Sequence, residues 1–265
     1  MRIGILGGGN MGEALLAGLL KERLTTAQKI LVGELDRAKQ KRLRKTYGVR
    51  VTSDNHSIVR RSDIVILAVK PQKMEELFSE IGPLSGKPLV ISIAAGIRIS
   101  FIQKHLGKVP VIRVMPNLAA AVGEAISAMA AGRFTASRHR RMAETIFSSV
   151  GETVWVPESQ LDAVTAVSGS GPAYVASFMK ALAQGAEGIG LSPTLSRRLV
   201  NKTFWGSLMY LSQKGIDPEA FIGQVASKGG TTEAALSVFR SRGLSRTIAL
   251  ALKKASERSR KLSRG

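Results

Sequence analysis

Cysteine is absent from the 265-residue chain, which removes disulfides, thiolate metal ligands and cysteine nucleophiles from consideration. Aromatic residues are scarce: with three Tyr and two Trp, no basic stretch is interleaved with rings of the kind that stack nucleobases. No apolar run reaches the length needed to cross a bilayer. The opening "MRIGILGGG" lacks the order of a secretory leader. These absences point to a soluble, cytoplasmic protein with no resident metal. Acidic residues are few as well, 19 against 39 basic ones for a net charge of +20. Such an excess invites a nucleic-acid reading. The cations are nevertheless dispersed, in "RAKQKRLRK" (37–45), "RHRR" (138–141) and "KKASERSRKLSR" (253–264). They read as a solvated surface whose field attracts anionic substrates and cofactors, and neither nucleic acid nor membrane is expected as a partner.

What is present is an alternation. Short β-branched runs at 2–7, 29–34, 49–51, 63–69, 89–94 and 110–116 are separated by stretches of helical period such as 10–22 and 74–81. Continuous apolar strands with intervening helices predict a mostly parallel sheet covered on both faces. Beyond Pro116 the pattern loosens, with strands expected at 125–132 and 152–157 around a helix at 136–150. From Ser159 the strands stop. Helices are expected at 172–189, 193–214, 217–226, 231–240 and 242–262, with fraying after Leu252. The fold class is therefore an α/β Rossmann-like domain, 1–158, followed by an all-α domain, 159–265. Segment 193–214 keeps apolar residues around its whole circumference, so a partner chain is expected to cover it.

The sharpest local signal is "GGGNMG", Gly7-Gly8-Gly9-Asn10-Met11-Gly12. It follows an apolar strand and opens an amphipathic helix, the context that makes G-x-G-x-x-G a dinucleotide fingerprint. Gly7 permits the tight turn, Gly9 lets a pyrophosphate approach the backbone, and Gly12 allows close contact of helix and sheet. The phosphates then meet free N–H groups at the positive helix end. Glu34 closes the second strand, where a carboxylate hydrogen-bonds a ribose 2′-OH and repels a 2′-phosphate. The cofactor is thus NADPH or NADH, with NADH favoured by Glu34. The competing reading pairs Glu34 with Arg37.

The carboxyl ends of later strands should face the same crevice. "AVKPQ" (68–72) places Val69, Lys70 and Pro71 against the cofactor, with Lys70 read as a wall or ion-pair residue. "SIAAG" (92–96) supplies small side chains that suit a close-approaching ring. "RVMPN" ends on Asn117, which serves either as a ligand donor or as a turn former.

The order "GGGNMG", "AVKPQ", "ISIAAG", "RVMPN", "LDAVTAVSGSGPAY" (161–174) and "GGTT" (229–232) resembles the pyrroline-5-carboxylate reductase family from Arg2 to about Phe239. The resemblance implies a Rossmann domain and a helical domain that interlocks with its twin in a homodimer, with a ring of dimers possible. It implies reduction of the cyclic imine 1-pyrroline-5-carboxylate to L-proline by NAD(P)H, at a site formed between one subunit's cofactor domain and the other's helices. By motif, Gly7 to Gly12 hold the pyrophosphate and Asn55 contacts the adenosine side. Ala68 to Pro71 and Ile93, Ala94 and Ala95 flank the ribose and nicotinamide, and Gln224 contacts the cofactor. The turn from Ser227 through Gly229, Gly230 and Thr231 to Thr232 corresponds to the family's substrate site. There the Ser227 hydroxyl and the N–H groups of Gly230, Thr231 and Thr232 grip the substrate carboxylate, and the Thr232 hydroxyl approaches the ring nitrogen as the catalytic group. Three departures stand out. Leu118-Ala119 replaces the family's Thr-Pro, Lys228 replaces its proline, and Glu34 is acidic in a family that often uses NADPH.

The chemistry suits the inventory. His56, His105 and His139 lie in polar segments without a carboxylate close in sequence and read as surface residues. A carbonyl reductase would need such a group as a positioned acid, whereas a cyclic imine enters as the iminium and needs alignment and a hydrogen bond at nitrogen. A diverged enzyme for another cyclic imine and a non-catalytic cofactor-binding regulator are the alternatives. A β-hydroxyacid dehydrogenase is disfavoured, because Val175 stands where those enzymes carry lysine.

Overall fold

The apolar runs of the first half form one eight-stranded sheet in the computed structural model, which describes residues 1–84 and 88–262. Its strands are β1 (Ile3–Leu6), β2 (Ile30–Gly33), β3 (Arg50–Thr52), β4 (Ile64–Leu67), β5 (Leu89–Ser92), β6 (Val111–Met115), β7 (Ala125–Ala131) and β8 (Gly151–Trp155). They lie in the order β3-β2-β1-β4-β5-β6-β7-β8. Pairing is parallel from β3 to β6. It turns antiparallel between β6 and β7, and β8 runs parallel to β7. The strand order changes direction between β1 and β4, the switch point outside whose carboxyl ends an open α/β sheet binds ligands.

Six helices cover the sheet: α1 (Asn10–Lys21), α2 (Arg37–Tyr47), α3 (Asn55–Arg61), α4 (Met74–Ile81), α5 (Ile99–Leu106) and α6 (Ser137–Ser148). Alternate strand residues serve opposite faces. Ile3, Ile5, Ile64 and Ile66 join Leu15 and Phe147 in one core. Val65, Leu67 and Val90 join Phe78 and Ile102 in the other. Each such side chain, fully removed from water, contributes about 1.5–3 kcal/mol, and burial on both faces explains why the strands read as continuous apolar runs.

The basic stretch 37–45 is helix α2. Asp36 caps it by accepting from the N–H groups of Ala38 and Lys39, and its single buried residue is Leu43. Arg42 forks onto both carboxylate oxygens of Glu13, which also accepts from the Tyr47 hydroxyl. The Arg42 guanidinium holds the Glu13 carboxyl below its ordinary pKa.

Two histidines are not the surface groups expected. His105 is half-buried, its ring lying 5.1 Å from that of Phe78 and 4.6 Å from that of Phe101. His139 is buried, and its Nδ1 accepts from the Ala136 N–H at the start of α6. Both sit on amphipathic helices whose apolar faces carry them inward; His56 is exposed.

The second half is helical. α7 (Leu161–Val164) runs into a π-helical turn, Thr165–Gly169, closed by Ser170 N–H to Thr165 O at 2.9 Å. Then follow α8 (Gly171–Gly188), α9 (Pro193–Lys214), α10 (Pro218–Val225), α11 (Thr231–Ser241) and α12 (Leu244–Leu262). The fraying expected after Leu252 does not occur. α12 stays helical to Leu262, and buried Ser259 donates to Oδ1 of buried Asp162 at 2.6 Å. A basic tail thus conceals an inward-facing serine.

The chain forms two compact units, Met1–Ser170 with the chain from Lys254 onward, and Gly171–Lys253. In the first, Glu158 Oε1 accepts from the buried Arg113 guanidinium at 2.9 Å and from the Ile99 N–H at 2.8 Å. These contacts tie the segment after β8 to the sheet, and this compact unit runs on to Ser170. In the second unit α8 lies against α9, and Ala183 and Ser196 are the buried residues. Trp205 and Leu208 are about 60% exposed (60% and 62%), and Phe178, Leu182 and Leu199 are exposed too. Among the described residues no helix is long and apolar enough to cross a membrane.

Candidate active site

The first unit places the glycine loop at the switch point. Gly7 N–H bonds to Gly33 O at 2.9 Å and Glu13 N–H to Gly9 O at 2.9 Å, so the loop hangs between β2 and the first turn of α1. Its glycines answer to different neighbours. A Cβ on Gly12 would collide with the Gly7 carbonyl oxygen, and one on Gly8 would press on Leu43 and Glu34. A Cβ on Gly9 would meet nothing within 4 Å. The fold requires glycine at 12, whereas at 9 the open space is on the ligand side.

That space is a cleft of about 270 Å³. Gly7, Gly8 and Gly9 form its floor, with Glu34, Asn55 and the segment Ala68-Val69-Lys70 around them. Glu34 folds back so that its Oε1 accepts from the N–H groups of Leu35 (2.9 Å) and Asp36 (3.0 Å) while Oε2 faces Gly8. Among the described residues it makes no ion pair with Arg37, so the competing reading of this carboxylate falls away. Asn55 is the first residue of α3, and its Oδ1 occupies the place a Cβ of Gly33 would take. Glu80 holds it, accepting from Asn55 N–H at 3.1 Å and from Nδ2 at 2.9 Å.

Other expected residues lie around rather than in this cleft. Asn10, Met11 and Gly12 form the first turn of α1, with Met11 against the core. Ile93, Ala94 and Ala95 follow β5 at the same end of the sheet; Ala94 is buried. Pro71 lines a neighbouring pocket instead. Asn117 lies two residues beyond β6 as a turn former, its Oδ1 accepting from Ala119 N–H at 3.2 Å and its Nδ2 donating to Ser168 at 3.2 Å. Through that bond and through Met115, which lies over Gly169, the "RVMPN" and "SGSGP" motifs meet at the π-helical turn. Six cleft residues escaped the sequence reading: Gly33 and Leu35, which flank Glu34, and a second set of Lys73, Glu76, Leu77 and Glu80. The i, i+3, i+4, i+7 spacing of that second set marks one face of a helix. The signal was present, but only the strand order shows which face of α4 the cleft receives.

The second unit carries the rest. Gln224 on α10 accepts from the Tyr210 hydroxyl at 3.3 Å. Between α10 and α11, Ser227 O accepts from Gly230 N–H at 3.0 Å, and Gly229 takes a left-handed φ of +70°. The Ser227 hydroxyl lies so near Gly230 that a Cβ there would be 2.5 Å from it. Gly229 N–H donates to Glu233 Oε2 at 2.6 Å. The Gly229 and Gly230 amides are therefore engaged inside the turn. Those of Thr231 and Thr232 open α11, where no intrahelical carbonyl exists to receive them and the helix dipole favours an anion. Lys228 is exposed at the tip.

Comparison with known proteins agrees with this layout. Residues 158–262 match the family model described as pyrroline-5-carboxylate reductase dimerisation. Residues 2–96 match one described as NADP oxidoreductase, coenzyme F420-dependent. The chain is 40% identical to a pyrroline-5-carboxylate reductase of Synechocystis sp. over 99% of its length and 98% of that protein's. It is 38% identical to one of Methanosarcina acetivorans, covering 98% of this chain and 97% of that one. Among solved structures, the Coxiella burnetii pyrroline-5-carboxylate reductase superposes with a TM-score of 0.90 at 32% identity, covering 99% and 98% of the two chains. The Plasmodium falciparum pyrroline carboxylate reductase, determined with NADP bound, gives 0.90 at 27% identity with the same coverage. The chain belongs to the pyrroline-5-carboxylate reductase family.

Proposed function

We propose that the protein reduces 1-pyrroline-5-carboxylate to L-proline with a nicotinamide dinucleotide. The observation that carries the cofactor half of this reading is the open space at Gly9. It leaves room for a pyrophosphate beside the first turn of α1, where helical N–H groups lack partners. Glu34 and Asn55 stand where the adenosine ribose would lie. The cofactor supplies the hydride. NADH is favoured over NADPH, because the Glu34 carboxylate would accept a 2′-hydroxyl and repel a 2′-phosphate.

The substrate half rests on the turn from Ser227 to Thr232. The free amides of Thr231 and Thr232, with the Ser227 hydroxyl, suit a carboxylate at the start of α11. The substrate nitrogen is basic and enters as the iminium, so the protein need not supply a strong acid. Thr232 Oγ1 is assigned the hydrogen bond that holds the ring nitrogen in register. The exposed apolar residues of α8 and α9, within the region matched to the dimerisation model, support a homodimer.

The direct test is oxidation of NADH and of NADPH with pyrroline-5-carboxylate, with proline identified as the product. Turnover with formation of proline is expected. No turnover with either cofactor would reject the assignment and favour a relative acting on another cyclic imine.

A further inference from the structure

Glu80, in the last turn of α4, lines the dinucleotide cleft together with Glu34 and Asn55. It reaches the start of α3 with both carboxylate oxygens. Oε1 accepts from the Asn55 backbone N–H at 3.1 Å, and Oε2 accepts from Asn55 Nδ2 at 2.9 Å. The backbone N–H is one of the first-turn amides of α3 that no intrahelical carbonyl can receive. Glu80 is therefore seated on the helix end by one oxygen while the other holds the side chain.

This pairing decides which way the Asn55 amide points. A carboxylate accepts and cannot donate, whereas a side-chain amide has one end of each kind. Facing Glu80, Asn55 must present Nδ2, and Oδ1 is left on the other side. There it lies against Gly33, at which any Cβ would collide with it, so glycine at the end of β2 makes the room. Among the described residues no group donates to Oδ1. Gly33 and Asn55 both line the cleft, and Glu34, the next residue along, brings its Oε2 up to Gly8. This wall is a row of acceptors, suited to hydroxyl groups and unsuited to a phosphate.

We infer that Glu80 is a positioning residue for cofactor choice: by holding Nδ2 of Asn55, it makes that side chain an acceptor for a ribose hydroxyl and a poor neighbour for a phosphate. The inference rests on reading the cleft as the NAD(P)H site, with the adenosine ribose beside Glu34 and Asn55. Glu80 acts through Asn55, and it does so separately from the Glu34 carboxylate.

The test measures dissociation constants of NADH and NADPH by calorimetry on the full chain. In Glu80→Gln the Asn55 backbone N–H keeps the one remaining carbonyl oxygen, so the new NH2 group faces the Asn55 side chain and draws Oδ1 toward itself. Nδ2 then stands beside Gly33 in place of the acceptor. The change is isosteric at an exposed position and should leave the fold intact. The Kd of NADH is expected to rise about three- to tenfold, while that of NADPH does not rise. In an Asn55→Ala background the same substitution should change the Kd of NADH by less than about twofold, because the group through which Glu80 acts is gone. Should Glu80→Gln fail to fold, Glu80→Ala, which frees the amide to rotate, is read in the same way. A merely structural role would weaken both nucleotides alike, and that result would overturn the inference. So would affinities for both nucleotides within about twofold of wild type, or an undiminished loss of NADH affinity in the Asn55→Ala background. Failure of the wild-type chain to bind either nucleotide would overturn the cofactor-site reading itself, and the inference with it.

Discussion

The Glu34 carboxylate stands over Gly8: a Cβ built on Gly8 would lie 3.0 Å from Glu34 Oε2. Because Oε1 is already committed to the backbone N–H groups of Leu35 and Asp36, Oε2 is the oxygen left to face the cleft, and under the proposed function it would meet the ribose. Wild-type protein is expected to show the higher kcat/KM with NADH. Glu34→Gln keeps the shape and removes the charge, so the NADH-to-NADPH ratio should fall by roughly tenfold, mainly through the KM of NADPH. A strong NADPH preference in the wild type that persists in Glu34→Ala would exclude this role.

Gly9 and Gly12 share one motif and should fail differently. Alanine at 12 would drive its Cβ into the Gly7 carbonyl, a backbone clash that side-chain motion cannot relieve. Gly12→Ala should cost about 1–3 kcal/mol of stability, read as a lower urea midpoint. Alanine at 9 meets no protein atom, so Gly9→Ala should lose only the modest helix-capping difference while binding dinucleotide at least about tenfold more weakly. Equal stability losses in the two variants, or unchanged dinucleotide affinity in Gly9→Ala, would contradict the assignment of that space to a ligand.

These two glycines also show what the sequence makes legible. Strand and helix cores followed from apolar period because the inner parallel strands β1, β4 and β5 are buried on both faces. The fingerprint followed from a glycine pattern placed between β1 and α1. Contacts that join distant segments were not legible. Asp162–Ser259 and Arg113–Glu158 each pair residues from separate elements, and nothing in local composition marks one serine of a basic tail as buried. The π-helical turn at Thr165–Gly169 was missed for a related reason. Its i to i+5 bond leaves no periodic trace over five residues, and the sequence offers only small side chains there. In the Ser227–Thr232 turn the motif was found, but its internal bonding was not. Glu233 takes the Gly229 amide and Ser227 takes that of Gly230, which narrows the available donors to the two threonines.

That narrowing sharpens the expectation for Thr232. Its amide belongs to the first turn of α11 and survives any side-chain change, so substitution isolates the hydroxyl. Thr232→Ala should reduce kcat by roughly ten- to a hundredfold, with the cofactor Kd unchanged. Thr232→Ser, which restores the oxygen, should recover most of the rate. Steady-state kinetics on the three proteins are sufficient, and wild-type kcat in Thr232→Ala would remove the residue from the mechanism.

The buried imidazole of His139 makes stability depend on pH. Burial, with the nearby Arg138 charge adding to it, holds His139 below its ordinary pKa of 6.5. A histidine whose folded pKa is depressed binds fewer protons folded than unfolded, and stability falls wherever the unfolded chain holds the extra proton. The loss therefore begins as pH drops through about 6.5 and continues down to the folded pKa; above that window the group contributes no pH dependence. Protonation would also replace the Nδ1 acceptor that receives the Ala136 N–H with a second donor. Between pH 7.5 and pH 5.5 the melting temperature should fall through this group. His139→Gln keeps an acceptor within reach of the helix start and cannot titrate, so its melting curve should be flatter over the same interval. Parallel pH profiles for wild type and His139→Gln would show that other groups carry the dependence.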